Sequence, residues 1–120
     1  MPSEPLKVES LFGQFGVRGV LRLQGPLTLD YTTDFQNAVR RENVPTLILD
    51  LSEVPYIDSA GIGTLVSIYI TRHKLGQRLA LSGVNGRIIN LLKITRVESL
   101  FLIFPSLGDA IDGLGNAGTA

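Results

Sequence analysis

The sequence predicts an α/β fold: one domain with a mixed β-sheet, opened by a β-hairpin and flanked by about four helices. Three observations point there. After two consecutive strand patterns at the start, strand-like and helix-like periodicities alternate along the chain. The run "TLILDLS" (Thr46–Ser52) is mostly apolar and bounded by turn signals, as expected of a central strand covered on both faces. Finally, 120 residues, 44% of them hydrophobic and 18% charged, are enough to bury one core without staples.

In chain order, Leu6–Phe12 and Gly19–Gln24 read as strands, and the glycine-containing "GQFGVRG" between them suits a hairpin. In the second strand Leu21 and Leu23 share one face, with Arg22 and Gln24 on the other. Gly25-Pro26 breaks the chain. A helix follows over about Thr33–Glu42, with Phe35, Ala38 and Val39 on one face and Thr32 or Thr33 as its cap; Asn43 and Pro45 stop it. Beyond the central strand, a second helix starts near Ser59 and reaches about Lys74, with Gly76 as its stop signal. Arg78–Gly83 is a strand, and Asn85 caps a third helix burying Ile88, Leu91 and Leu92. Leu100–Pro105 is the last strand. Ser106 opens a final helix, with Asp109 where a capping-box acid would sit. Residues 1–5 read as a loose leader, 6–114 as the domain and 115–120 as a small-residue tail.

Composition removes several function classes. Eleven basic residues balance eleven acidic ones without clustering, so no nucleic-acid partner is expected. The absence of cysteine excludes disulfides and thiolate chemistry, and the single histidine, His73, cannot build a metal site alone. No signal-peptide pattern opens the chain, and no apolar run approaches the ~20 residues needed to span a bilayer. The expectation is a cytoplasmic protein with no direct membrane insertion and no cofactor. No acid–base pair can be assembled from the inventory, so an enzyme is not expected.

The stretch "YIDSAGIGTL" (Tyr56–Leu65) places a carboxylate, a hydroxyl and two glycines where a buried strand hands over to a helix. Turning about 100° per residue puts Ile62, Leu65, Val66, Tyr69, Ile70 and His73 on a core stripe. The opposite side carries Ala60, Gly63, Thr64, Ser67 and Thr71, with Ile68 among them, and no charge falls between Asp58 and Arg72. Such a face is either an interface or covered by another part of the chain. Gly61 and Gly63 each cost a helix about 1 kcal/mol relative to alanine. They fit close approach by a partner or by the chain's own backbone.

Ser59 itself has a plain reading as a helix cap or first-turn residue. A nucleophilic serine is rejected. Ile57 stands where the hydrolase elbow needs glycine, and His73 lies fourteen residues along the same helix, about 21 Å away. "GIGTLV" begins like a dinucleotide fingerprint, but Val66 replaces its third glycine and no Walker lysine is near. A phosphorylation switch is the third sharper reading beside the cap: a helix start tolerates the added charge, while a partner docked there would meet repulsion and a desolvation cost.

"LILDLSEVPYIDSAGIGTLVSIY" closely resembles the signature of the STAS domain, named for sulfate transporters and anti-sigma factor antagonists. "VLRLQGPL" is similar to that family's strand ending in glycine-x-leucine, and "RLALSGVNGRIINLLKITRVESLFLIFPSLGDAI" to its later elements. The resemblance implies a STAS-like mixed sheet flanked by helices. It also implies that Ser59, preceded by Asp58 and followed by Gly61 and Gly63, is a phosphate acceptor. By the resemblance, the unphosphorylated form binds an anti-sigma factor, a serine kinase of the histidine-kinase-like ATPase type, and frees a sigma factor; a serine phosphatase resets the switch. The implied contact surface comprises Thr28, Asp58, Ala60, Gly61, Gly63, Thr64, Ser67 and Ile68. Two positions depart from the pattern: Thr28 stands where many antagonists carry an aspartate, with Asp30 out of register and Tyr31 for a common threonine, and Ala60 replaces a second serine. The alternatives are a STAS subunit of a membrane transport system, for a phospholipid or an anion, and a nucleotide- or small-ligand-sensing module. The small-residue face could also serve a homodimer.

Overall fold

The computed structural model describes residues 5–11 and 18–114. The hairpin loop and most of the expected leader and tail lie outside them. Five strands form one sheet in the order β1-β2-β3-β4-β5: β1 (Lys7–Leu11), β2 (Arg18–Gln24), β3 (Thr46–Glu53), β4 (Arg78–Ser82) and β5 (Leu102–Phe104). The first two pair antiparallel, Lys7 opposite Gln24 and Leu11 opposite Val20. All later neighbours pair in parallel. The helices are α1 (Thr32–Arg41), α2 (Ser59–Lys74), α3 (Gly86–Ile94) and α4 (Leu107–Leu114), with short 3-10 turns at Leu29–Tyr31 and Glu98–Leu100. The expected α/β architecture with a mixed sheet and four helices is the observed one.

The pleat divides the core in two. Leu21 and Leu23 of β2, Leu47, Leu49 and Leu51 of β3 and Leu79 and Leu81 of β4 join Phe35, Leu65, Ile88 and Leu92 from the first three helices. On the other face Val20, Ile48 and Ala80 pack under Ala110 and Leu114 of α4. Leu47, Ile48, Leu49 and Leu51 have no exposed surface, and each such side chain stabilises the fold by about 1.5–3 kcal/mol. That double burial explains why β3 reads as a continuous apolar run.

One polar group interrupts it. Asp50 is 1% exposed and sits at the same level as Arg22 of β2 and Ser82 of β4. Its Oδ2 accepts from Arg22 Nε at 3.0 Å and Ser52 Oγ at 3.2 Å; its Oδ1 accepts from Ser82 Oγ at 3.1 Å and Ser52 N at 3.3 Å. Four donors satisfy a carboxylate that would otherwise be too costly to bury. The cluster ties three strands together near the ends from which the site-bearing loops leave.

Several local expectations change. The α1 start is not capped by Thr32 or Thr33: Tyr31 precedes the helix without a side-chain cap, and the Thr32 hydroxyl donates to the Leu29 carbonyl. β5 is shorter than expected because Glu98–Leu100 closes into a 3-10 turn. The end of α2 follows expectation: Gly76 takes a positive φ of 70° while its N–H reaches His73 O and that of Gln77 reaches Arg72 O. This is the double closure for which glycine is favoured. The same closure ends α3, but there Arg96 holds the left-handed position at φ 61°.

The buried stripe of α2 is also rotated from the one expected. Gly61, Ile62, Thr64, Leu65, Ile68 and Arg72 face inward, whereas Ile70 and His73 are exposed. Arg72 is the unexpected member. It is 4% exposed, and its guanidinium donates to Arg78 O at 3.0 Å, Val44 O at 2.7 Å and Glu42 O at 3.5 Å. Burial lowers its pKa to about 10, which still leaves it charged at neutral pH.

Candidate functional site at the start of the second helix

Two loops meet at the carboxyl edge of the sheet and are stitched together by backbone bonds. Leu27 N–H donates to Tyr56 O at 3.2 Å, and Asp58 N–H donates back to Leu27 O at 3.2 Å. Asp58 completes the junction. Its Oδ1 accepts from Gly61 N at 2.8 Å, capping α2, and its Oδ2 accepts from Leu29 N at 3.1 Å. The plain reading of Ser59 as a cap or first-turn residue narrows to the second: the cap is Asp58, whose two oxygens serve a helix N–H and a loop N–H at once.

Ser59 is therefore the first residue of the helix rather than its cap. It is exposed, and no other described residue hydrogen-bonds its hydroxyl. Ser59 and His73 both lie on α2, and a rise of 1.5 Å per residue separates them by about 21 Å. A serine–histidine pair is thus geometrically impossible. A phosphate-cradling loop fares no better, since the Gly61 N–H it would need is already bound by Asp58.

The two glycines have different physical causes. A Cβ on Gly61 would lie 2.5 Å from Leu27 O and collide with Ile57 Cγ2, so the loop's backbone requires glycine there. A Cβ on Gly63 would meet nothing within 4 Å. Gly63 is exposed and unconstrained by the fold.

Of the residues expected to meet a partner, Ser59, Gly63 and Ser67 are exposed, and Thr28, Asp58 and Ala60 are partly so. Gly61, Thr64 and Ile68 must be corrected: all three are buried by the chain itself. Thr64 is paired internally, its hydroxyl donating to Ala60 O at 2.9 Å, and Ile68 belongs to the core between the helices and the sheet. The side of α2 expected to face a partner thus faces, in part, α1 and the sheet. A large apolar residue that the sequence reading passed over is Leu29, 68% exposed and bonded through its N–H to Asp58 beside Ser59. It stands alone after Thr28 with no periodic partner, so pattern carried no signal for it.

The STAS domain family model matches residues 13–110, which takes in this whole junction. The chain belongs to the STAS domain family. Among curated relatives, this STAS domain is similar to the anti-sigma F factor antagonist of Paenibacillus polymyxa, 29% identical over 104 residues, covering 81% of this chain and 86% of the relative. It is 36% identical over 76 residues to human prestin, covering 60% of this chain but only 10% of prestin's length. Among solved structures, an anti-sigma factor antagonist from Mycobacterium paratuberculosis superposes with a TM-score of 0.80 at 20% identity, covering 95% of this chain and 99% of that one. At that identity the likeness speaks for the fold. Among the described residues, no helix of this STAS domain is long and apolar enough to cross a membrane.

Proposed function

We propose that this STAS domain is an anti-sigma factor antagonist switched at Ser59. With Ser59 unmodified, the surface formed by Thr28, Leu29, Asp58, Ala60, Gly63 and Ser67 docks on an anti-sigma factor and so frees a sigma factor. The anti-sigma factor is itself a serine kinase of the histidine-kinase-like ATPase type. It transfers the γ-phosphoryl group of ATP to Ser59 Oγ; ADP leaves, and the hydroxyl proton passes to a base on the kinase. The added charge of about −1.5 to −2 lands beside Asp58, and docking is lost through repulsion and desolvation. A serine phosphatase restores the hydroxyl. In this reading the domain is substrate and regulator, not catalyst.

One observation carries the reading: Asp58 caps α2 and leaves the exposed Ser59 hydroxyl without a bond to any other described residue. A serine whose structural duty is already discharged can be modified without loss of the helix. The similarity to the Paenibacillus antagonist supports the same reading. A second reading is favoured by the likeness to the solved STAS domain of a SulP transporter from Vibrio cholerae, 26% identical with a TM-score of 0.71: a STAS module of a membrane transport system, docked through α2 and indifferent to Ser59.

A pull-down from native lysate with wild type, Ser59→Ala and Ser59→Glu as baits separates the two. Retention of an ATP-binding kinase by Ser59→Ala and its loss with Ser59→Glu is the expected result. Equal retention of one membrane-transport component by all three baits overturns the switch.

A further inference from the structure

The side of α2 that carries Ser59 can be located from residues farther along it. At about 100° per residue, Ser59, Val66, His73 and Ile62 span about 60° in that order, with Tyr69 just beyond Ile62. Tyr69 stacks on His73 with ring centroids 5.5 Å apart and meets Phe101 edge-on at 5.9 Å. The Ile62 edge of that sector therefore turns toward Phe101, in the part of the fold that follows α3.

The start of α3 is fixed on the same side. Asn85 caps α3 through Ile88 N at 2.9 Å while its amide donates to Val54 O and Pro55 O, both at 3.2 Å. This anchors the first turn of α3 against the loop that leads into Ser59. Arg87, in that first turn, lays its guanidinium over the Tyr56 ring at 5.5 Å from the centroid. Among the described residues no carboxylate pairs with it. An exposed cation is thus held on an aromatic face three residues before the modifiable serine.

We propose that Arg87 is the receptor, within the same molecule, for the phosphate carried by Ser59. The inference rests on the reading of Ser59 as a phosphate acceptor and adds the group that answers the modification. A guanidinium presents paired donors that match phosphate oxygens, and a dianion outcompetes the quadrupole of a half-buried ring for it. Phosphorylation then has two consequences. It adds charge at the docking surface, and it draws Arg87 off Tyr56, uncovering one wall of the groove of about 280 Å³ lined by Tyr56, Ile57, Ile88, Leu91 and Ile94. The switch reshapes the surface on the α3 side as well as repelling a partner in front of it.

The test installs phosphoserine at position 59 by ribosomal incorporation, so that no kinase is needed, and follows its second ionisation by 31P NMR. That ionisation lies near pH 6 for an unperturbed phosphoserine. Asp58 on the same junction and Asp30 on the neighbouring 3-10 turn raise it in every variant, so the comparison isolates Arg87. Arg87→Gln is expected to titrate about 0.5 unit higher than the otherwise wild-type protein. Arg87→Lys should fall between them, and Arg41→Gln, at the far end of α1, should not differ from wild type. The ring-current shift on the Arg87 side chain should also disappear on phosphorylation. Coincident titration curves for Arg87→Gln and wild type overturn the proposal, as does a shift of equal size in Arg41→Gln. Neither result depends on whether a lysate kinase modifies Ser59, which the pull-down decides separately.

Discussion

The Asp58 carboxylate holds the Leu29 backbone N–H at 3.1 Å with one oxygen while the other caps α2 at Gly61 N, 2.8 Å away. A single side chain thereby fixes the position of the loop that carries Thr28 and the helix that begins at Ser59. Asn85 does the same for α3 and the loop before α2. The site's geometry is set by two capping residues, each shared between a helix and a loop from elsewhere in the sequence.

Removing that carboxylate should unfasten both partners. Asp58→Ala is expected to cost about 1–2 kcal/mol, the value of a lost cap. Amide hydrogen exchange should rise at Leu29 as well as at Gly61. Urea denaturation with exchange mass spectrometry reads both, and protection of Leu29 at the wild-type level would contradict the shared role.

The glycines should respond in opposite directions. Gly61→Ala forces a Cβ against the Leu27 carbonyl and should destabilise by about 1–3 kcal/mol. Gly63→Ala enters open space in a helix and should stabilise by about 0.5–1 kcal/mol. If the Gly63 surface is where a partner docks, the same Gly63→Ala protein will capture less of it in the pull-down despite its greater stability. Urea midpoints of the two variants give the first comparison directly.

Arg72 ties the C-terminal half of α2 to the chain at Glu42, Val44 and Arg78. Arg72→Met keeps the stem's packing but leaves three part-buried carbonyls without its donors, and should cost about 1–3 kcal/mol. Arg72→Lys should recover only part, because one ammonium cannot span carbonyls on separate segments. Chemical denaturation of the three proteins checks the order; a methionine variant as stable as wild type would show that the bonds contribute nothing net.

The legible and illegible parts of the chain differ for physical reasons. The sheet could be read because β3 is largely apolar on both faces and the last three helices open on residues whose side chains accept a hydrogen bond. The orientation of α2 could not. Without charges between Asp58 and Arg72, nothing in the sequence marks its wet side, and Ile62, Leu65, Ile68 and Ile70 spread around the helix. Thr64 and Ile68 go inward because α1 packs there, and Arg72 goes inward because three carbonyls from outside α2 await it. Both facts are tertiary. At the site, the serine and the glycines were visible as a motif, but their division of labour was not. That Asp58 rather than Ser59 caps the helix depends on the Leu29 N–H, which comes from 29 residues earlier. That Gly61 answers the chain while Gly63 answers nothing in it depends on where Leu27 lies.

The most direct test of the central claim is phosphopeptide mapping of the protein purified from its native cells, wild type beside Ser59→Ala, after incubation with the kinase captured by the Ser59→Ala bait and ATP. A single phosphate on Ser59 of the wild type, none on Ser59→Ala, and release of the kinase in step with modification is the predicted result. A wild-type protein that gains no phosphate at Ser59 and keeps its partner throughout would contradict it.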